Sequence, residues 1–538
     1  MFVFVADLFE EDYVGGAELT TGAIMEGSLV PVVKILSKEL NRQHLQYYKK
    51  YHWVFGNFTH VRKEILLECV KEINYSVVEY DYKYCRYRSR ELHASSEGAC
   101  DCHSLNASKI VAVFLAAAKN LWWMSQKQKD VYCELYPFLN KENSRVLSSV
   151  FSRDTLKFIK KLRNEKRKRN DTWLILNSPS WIKATERTVQ YAKDHGLKFE
   201  LVCNLTHSAL LKKMKSSKGL IFMPLGADTC PRIVIEAKLL GCELILNENV
   251  QHKDEKWFSY GFDEMYAYLS TRASYFWHEV ENTIYGDDAN SRDGSTKFKI
   301  VVPFYNAERW LPKCISSLKS QRYKNFECIL IDDISTDDSY LTATELISEL
   351  DNFKLIKNSN KKYALENIVN GIDTLNCDDE DVILMVDGDD WLANTFVLNR
   401  LNQIYSERAP LMTYGSYCYH PTGQIGVEPS RYPQQIVESN SFREDQWRAS
   451  HLRTFKYKLW KNLNKKDLQD SSGKYYTMAY DQAIMLPLLE MASEKAVYID
   501  DILYTYNREN PNNIDKTKAQ KQAGIANEIR RKPKYKKL

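Results

Sequence analysis

The chain has 538 residues, of which 44% are hydrophobic and 27% charged, with a formal net charge of +5. That length exceeds one ordinary core and divides into roughly three or four folding units at about 100–200 residues each. The composition excludes a largely disordered chain, and the small net charge leaves no ground for a nucleic-acid partner, which would need lysine and arginine gathered beside exposed aromatics.

Residues 1–8 are apolar but carry no basic flank and no small-residue cleavage site, so they read as a first strand rather than a signal peptide. The longest other apolar run, 110–118, is about half of the roughly 20 residues a membrane span needs. No transmembrane segment and a cytoplasmic location are therefore expected. In that setting the sequons at Asn57 and Asn204 are chance matches, and the 12 scattered cysteines read as reduced thiols.

From residue 1 to about 285, short apolar runs alternate with helix-length amphipathic segments, which predicts parallel sheets covered by helices. Strands are predicted at 2–6, 52–55, 77–80, 110–115, 172–176, 199–202, 219–223 and 243–246, and helices at 63–73 and 184–194. Gly15 and Gly16 follow the first strand, where glycine lets backbone approach a ligand and the next helix offers its N-terminus to an anion. Cys85, Cys100, Cys102 and His103, with His93 between them, offer a zinc set, but without the paired two-residue gaps of common structural sites they read as thiols in a long loop. Trp122 and Trp123 are expected in the core. The basic run 160–169 is expected to cap a helix end and mark the joint between two lobes; its bland reading is a solvated face.

A polar, glycine-containing stretch, 286–295, then breaks the pattern and reads as a linker. Buried strands restart at 299–303, 328–331 and 382–386, while 510–538 is polar and basic and is expected as a mobile or loosely docked tail. Acidic clusters follow two of these strands: Asp332-Asp333, and Asp387-Gly388-Asp389-Asp390. Parallel strands open their carboxyl ends onto a crevice. Carboxylates gathered there repel one another unless a cation intervenes, and oxygen ligands suit magnesium or manganese.

Over about 297–508 the ordered motifs resemble the family 2, GT-A type glycosyltransferases: an opening strand running through Pro303-Phe304-Tyr305-Asn306, then Leu330-Ile331-Asp332-Asp333, then Ala364-Leu365-Glu366-Asn367, then Asp387-Gly388-Asp389-Asp390-Trp391. The resemblance implies that Pro303 and Tyr305 line a base and ribose pocket and that Asp332 or Asp333 contacts the uracil or ribose of a UDP-sugar. It implies that Asp389, with Asp387 or Asp390, holds Mn2+ or Mg2+ against the donor diphosphate. Asp481, ahead of the apolar run 483–489, matches the segment carrying the family's general base, with inversion at the anomeric carbon; Tyr480 stands where many relatives have an acidic residue. His451 matches a position near the acceptor and reads equally as a structural histidine, with Trp460 nearby in sequence. Asp337 and Asp338 read as caps of the following helix.

In the first half, the run 226–241 resembles the donor-binding helix of family 4, GT-B type glycosyltransferases, with Asp228 and Glu236 at the two acidic positions that contact sugar and ribose. Asp228 replaces a usual glutamate, and Lys183 is the substitute for a basic residue missing after the strand at 172–176. The expected fold class is α/β: a GT-B-like pair of Rossmann-type lobes (1–165 and 166–285), a linker (286–297), a GT-A domain (298–508) and a basic tail (509–538). The expected function is sugar transfer from a nucleotide-sugar donor to a glycan, lipid-linked or protein-linked acceptor. The first half is then a second or degenerate transferase, a sugar-nucleotide epimerase, or a glycan-binding scaffold.

Overall fold

The computed structural model describes residues 1–289, 296–511 and 519–538. The chain forms two compact units, Met1–Ser28 with Val32–Ile284, and Leu29–Pro31 with Tyr285–Leu538. The α/β class is as predicted. Of the expected linker, residues 286–289 continue the helix Arg272–Ala289, and 290–295 lie outside the described residues.

The first unit holds two all-parallel sheets. The larger contains β1 (Phe2–Ala6), β2 (Val32–Leu36), β3 (His52–Phe55), β4 (Asn74–Glu79), β5 (Asn120–Trp123) and β6 (Ser144–Val146), in the order β2-β1-β3-β4-β5-β6. The smaller contains β7 (Trp173–Leu176), β8 (Phe199–Val202), β9 (Gly219–Phe222) and β10 (Glu243–Leu246), ordered β10-β9-β7-β8. In each sheet the chain first adds a strand on one side of the opening strand and then crosses to the other. That switch opens a crevice outside the carboxyl ends of the strands.

The apolar run at 110–115 is not a strand. It lies in the helix Asn106–Ala117, with Ala112 and Leu115 buried and Val113 exposed. A short apolar run fits a buried strand or a buried helix equally by pattern; packing settles this one, with Ala112, Phe114 and Leu115 entering the core of the first unit from one helical face. The strand follows it as β5, where Trp122 and Trp123 are fully buried. The basic run does cap helix ends. Arg163 donates to the carbonyl of Leu239 at 2.8 Å, and Arg169 to those of Met214 and Ser217 at 3.1 and 2.6 Å. These bonds satisfy carbonyls left open where the helices His207–Ser216 and Arg232–Leu239 end.

The second unit is built on one mixed sheet of β11 (Phe298–Phe304), β12 (Phe326–Asp332), β13 (Phe353–Lys357), β14 (Val382–Met385), β15 (Trp391–Leu392), β16 (Met412–His420), β17 (Thr454–Lys456) and β18 (Ala496–Asn507), ordered β13-β12-β11-β14-β17-β16-β18-β15. β13, β12, β11 and β14 run parallel, and β17 is antiparallel to β14. Alternate residues feed two cores: Val301, Ile383 and Met385 pack on one face, and Ile300, Val302, Val382 and Leu384 on the other. Burial on both faces explains why these strands read as continuous apolar runs.

The expected loose tail is instead ordered where it is described. The helix Ala519–Arg530 buries Ile529, and Ile525, Ala526 and Tyr535 pack against the same core. Arg530 donates to the carbonyls of Arg443 and Asp445, both at 2.7 Å. Its apolar residues fall on one helical stripe among basic ones, which bulk composition hides.

Candidate active site

The switch in strand order between β11 and β14 places three loops around one cleft of about 430 Å3. Pro303 and Tyr305 from the end of β11, Asp333 from the end of β12, and Asp387, Gly388, Asp389 and Asp390 after β14 line it. His451 and Arg453 join from the chain leading into β17, and Tyr480 and Asp481 from the start of the helix Tyr480–Ala492. Gly388 is required for close approach: a Cβ there would lie 2.4 Å from that of Phe304.

The two carboxylates after β12 part company. Asp332 is fully buried, accepts from the Ser335 amide at 3.0 Å, and does not line the cleft. Asp333 faces the cleft and accepts from the side chain of Asn358 and the amides of Lys362 and Tyr363, each at 2.9 Å. Burial alone would raise its carboxyl; these bonds outweigh burial and hold it below the usual carboxylate range. Its last acceptor position faces the ammonium of Lys361 at 3.3 Å, which also lies over the Tyr305 ring. Asp337 accepts from the Ser339 amide at 3.0 Å at the head of the helix Ser339–Ile347, whose N-cap is Asp338.

The cluster after β14 divides in the same way. Asp390 is buried, its oxygens accepting from the Asn507 amide at 2.7 Å and the Tyr504 hydroxyl at 2.9 Å, so it ties the loop to β18. Asp389 is partly exposed and accepts from the Asn510 side chain at 2.7 Å. Its carboxyl is pushed up to about 6 by burial and then by the charge of Asp387. Asp387 is raised as well, by burial first, against the opposing pull of Arg453 and of the Tyr480 hydroxyl.

Oxygens of Asp387 and Asp390 and a ring nitrogen of His451 lie within 4.8 Å of one another. Yet Nη2 of Arg453 stands 2.9 Å from Nδ1 of His451, so an arginine cation already occupies that side of the group. His451 stacks on Tyr504 with centroids 4.4 Å apart, and burial followed by Arg453 keeps its imidazole neutral. The open side is that of Asp387 and Asp389, whose hard oxygens and raised carboxyls suit a divalent cation. Trp460 is buried against Phe455 and does not line the cleft.

Arg453 was not anticipated from the sequence. It is 3% exposed, its Nη1 lies 3.8 Å from Asp481, and its Nε has no hydrogen-bond partner among the described residues. The only signal available was its place two residues after His451. Asp481 itself sits in the first turn of its helix, 26% exposed and facing the cleft.

The first unit carries a second cleft, of about 840 Å3, lined by Gly15, Gly16, Lys183, His207, Asp228, Arg232 and Glu236. Two of its acidic groups have partners: Asp228 pairs with Lys183 at 2.6 Å, and Glu236 with His207 at 2.9 Å.

Residues 299–469 match the model of the family described as Glycosyl transferase family 2. Glycosyltransferase GlyA of Streptococcus pneumoniae serotype 4 is 26% identical over 220 residues, which are 39% of this chain and 30% of that protein. Glycosyltransferase GlyG of the same organism is 27% identical over 227 residues, 40% of this chain and 71% of that protein. Among solved structures, S. aureus TarS 1–349 in complex with UDP-GlcNAc is 18% identical, with a TM-score of 0.31 over 40% of this chain and 59% of that one. The match thus spans less than a third of GlyA. The match to the Glycosyl transferase family 2 model lies in the second unit, and GlyA and GlyG are glycosyltransferases. Among the described residues, no helix is long and apolar enough to cross a membrane.

Proposed function

We propose that the second unit transfers a sugar from a nucleotide diphosphate sugar, a UDP-sugar, to a glycan hydroxyl, with inversion at the anomeric carbon. The observation that carries this reading is the meeting of Asp333, Asp387, Asp389 and Asp481 in one cleft at the strand ends. Pro303, Tyr305 and Asp333 receive the base and ribose, the nucleoside taking the place beside Asp333 that Lys361 fills. Asp389 and Asp387 are the residues that hold Mn2+ or Mg2+. The cation supplies neutralisation of the charge that develops on a departing nucleoside diphosphate. Asp481 takes the proton from the acceptor hydroxyl, and the freed oxygen attacks from the face opposite the leaving group. Arg453, fixed and buried, lies 3.8 Å from the Asp481 carboxylate and holds it in place. Asp332 and Asp390 shape the loops from beneath.

Transfer from a panel of UDP-sugars, followed with and without chelator and in Asp389→Ala, tests the reading. Loss of transfer in both the chelated enzyme and the variant is expected. Full activity of Asp389→Ala with metal chelated overturns it.

The first unit we read as a GT-B-like donor-binding module, on the strength of Asp228, Glu236 and the Gly15-Gly16 turn sharing one cleft. Turnover of nucleotide sugar that survives Asp389→Ala and disappears with an added Glu236→Ala marks it as a second transferase. An epimerised donor formed without acceptor marks an epimerase. Glycan binding without turnover marks a scaffold.

A further inference from the structure

The segment between β4 and the helix Asn106–Ala117 gathers three thiols and an imidazole at one point. Cys85 comes from the turn after β4, His93 from the helix Arg90–Glu97, and Cys100 and Cys102 from the chain that follows it. Cys85, His93 and Cys102 are buried, and Cys100 is partly so. The four ligand atoms all lie within 4.8 Å of one another. His103 is exposed and takes no part; the histidine of the group is His93, whose spacing from the cysteines follows no common motif.

We propose that Cys85, His93, Cys100 and Cys102 form a structural zinc site of the three-thiolate, one-imidazole kind. Around a tetrahedral zinc, with sulfur at about 2.3 Å and nitrogen at about 2.0–2.1 Å, ligand atoms stand about 3.5–3.8 Å apart. Here Cys100 Sγ is 3.7 Å from Cys85 Sγ, Cys85 Sγ is 3.6 Å from His93 Nδ1, and Cys102 Sγ is 3.4 Å from His93 Nδ1. No disulfide joins the thiols.

The surroundings of His93 fit the same assignment. A carboxylate of Glu97 stands 3.1 Å from Nε2 and accepts its N–H, which turns the lone pair of Nδ1 toward the sulfurs. Glu97 is in turn held by the Tyr87 hydroxyl at 2.6 Å and by Arg86, and the Tyr87 ring stacks on the imidazole. Three thiolates and one zinc leave a single negative charge, which the Arg86 cation beside the imidazole offsets. The ion would pin the turn after β4, the helix Arg90–Glu97 and the chain that follows it to one another. One of them carries Arg88, bonded to Asp81 at 2.6 Å and to Asn57 at 3.2 Å on the wall of the second cleft. Metal here therefore sets the shape of that cleft without touching its ligand.

Elemental analysis of the full chain, purified without added metal, is the test. About one zinc per chain is expected, with X-ray absorption showing three sulfurs and one nitrogen, and with release of the ion on thiol blocking by a mercurial. His93→Ala and Cys102→Ser should each lose the zinc, whereas Asp387→Asn, at the other unit's cleft, should keep it. If those two variants fail to fold, Cys102→His, which preserves a ligand, should fold and retain the metal. A native chain that carries no zinc and takes none up on dialysis against it overturns the proposal, as does undiminished zinc in folded His93→Ala or Cys102→Ser.

Discussion

The hydroxyl of Tyr480 lies 2.6 and 2.7 Å from the two carboxylate oxygens of Asp387. A tyrosine at this place, one residue before the proposed base, gives the cleft a donor aimed at a carboxylate and so joins the helix that carries Asp481 to the loop that carries Asp389. It also opposes the upward push that burial exerts on Asp387.

Tyr480→Phe removes that donor and leaves a half-buried carboxylate short of one bond, worth about 1.5–3 kcal/mol for a charged acceptor. The Asp387 carboxyl should rise further. The pH below which manganese binding fails should therefore move upward in the variant, as read by manganese titration across pH; an unchanged profile would count against the clamp.

Asp389 and Asp390 should separate by phenotype. Asp389→Ala removes a partly exposed, raised carboxyl, so melting temperature should hold while transfer collapses. Asp390→Ala strands the Tyr504 hydroxyl and the Asn507 amide and should cost about 2–4 kcal/mol in denaturant unfolding. Equal destabilisation in the two variants would contradict the division of labour between them.

The pH dependence has a definite sign. The Asp389 carboxyl has an ordinary value of 3.8 and stands at about 6 in the folded chain. Between those values the unfolded chain has released this proton and the folded chain keeps it, so without metal this group's contribution to stability is lost as pH rises from about 4 to about 6. A divalent cation displaces the proton, so its affinity should be roughly tenfold weaker at pH 5 than at pH 7.5, since one pH unit below the group's value costs a factor of ten. Calorimetric manganese titrations at the two values check this.

Arg453 is a buried cation beside Asp387, Asp481 and His451. Arg453→Met leaves charges without a partner, and breaking a buried pair costs about 3–5 kcal/mol. Denaturant unfolding of the native chain and the variant measures the loss. An unchanged unfolding free energy would mean that the guanidinium is not needed there.

Much of the second unit was legible in the chain, since strands buried on both faces write themselves as apolar runs and the polar clusters sit where those runs stop. The positions of Asp333, Asp387 and Asp389 could be marked on that basis before any contact was known, and that of Asp481 only through the resemblance to the family 2 glycosyltransferases. Sequence could not say which neighbour of each acidic pair faces solvent. Asp390 turns inward because Tyr504 and Asn507, from far along the chain, wait there, while Asp332 turns inward onto the amide of Ser335 in its own loop.

Local pattern by itself determined the class of fold, the place in the chain of most of the strands it marked and where the acidic loops fall, because these depend on periodicity and on residues adjacent in sequence. Tertiary structure alone decided that 110–115 is helical, that the basic end of the chain packs on the core, that Arg453 and Tyr480 belong to the cleft, and that His93 rather than His103 meets the three cysteines. Each of those outcomes depends on contacts between residues that are not neighbours in sequence, whose energies exceed local preference and leave no periodic trace in the residues that make them.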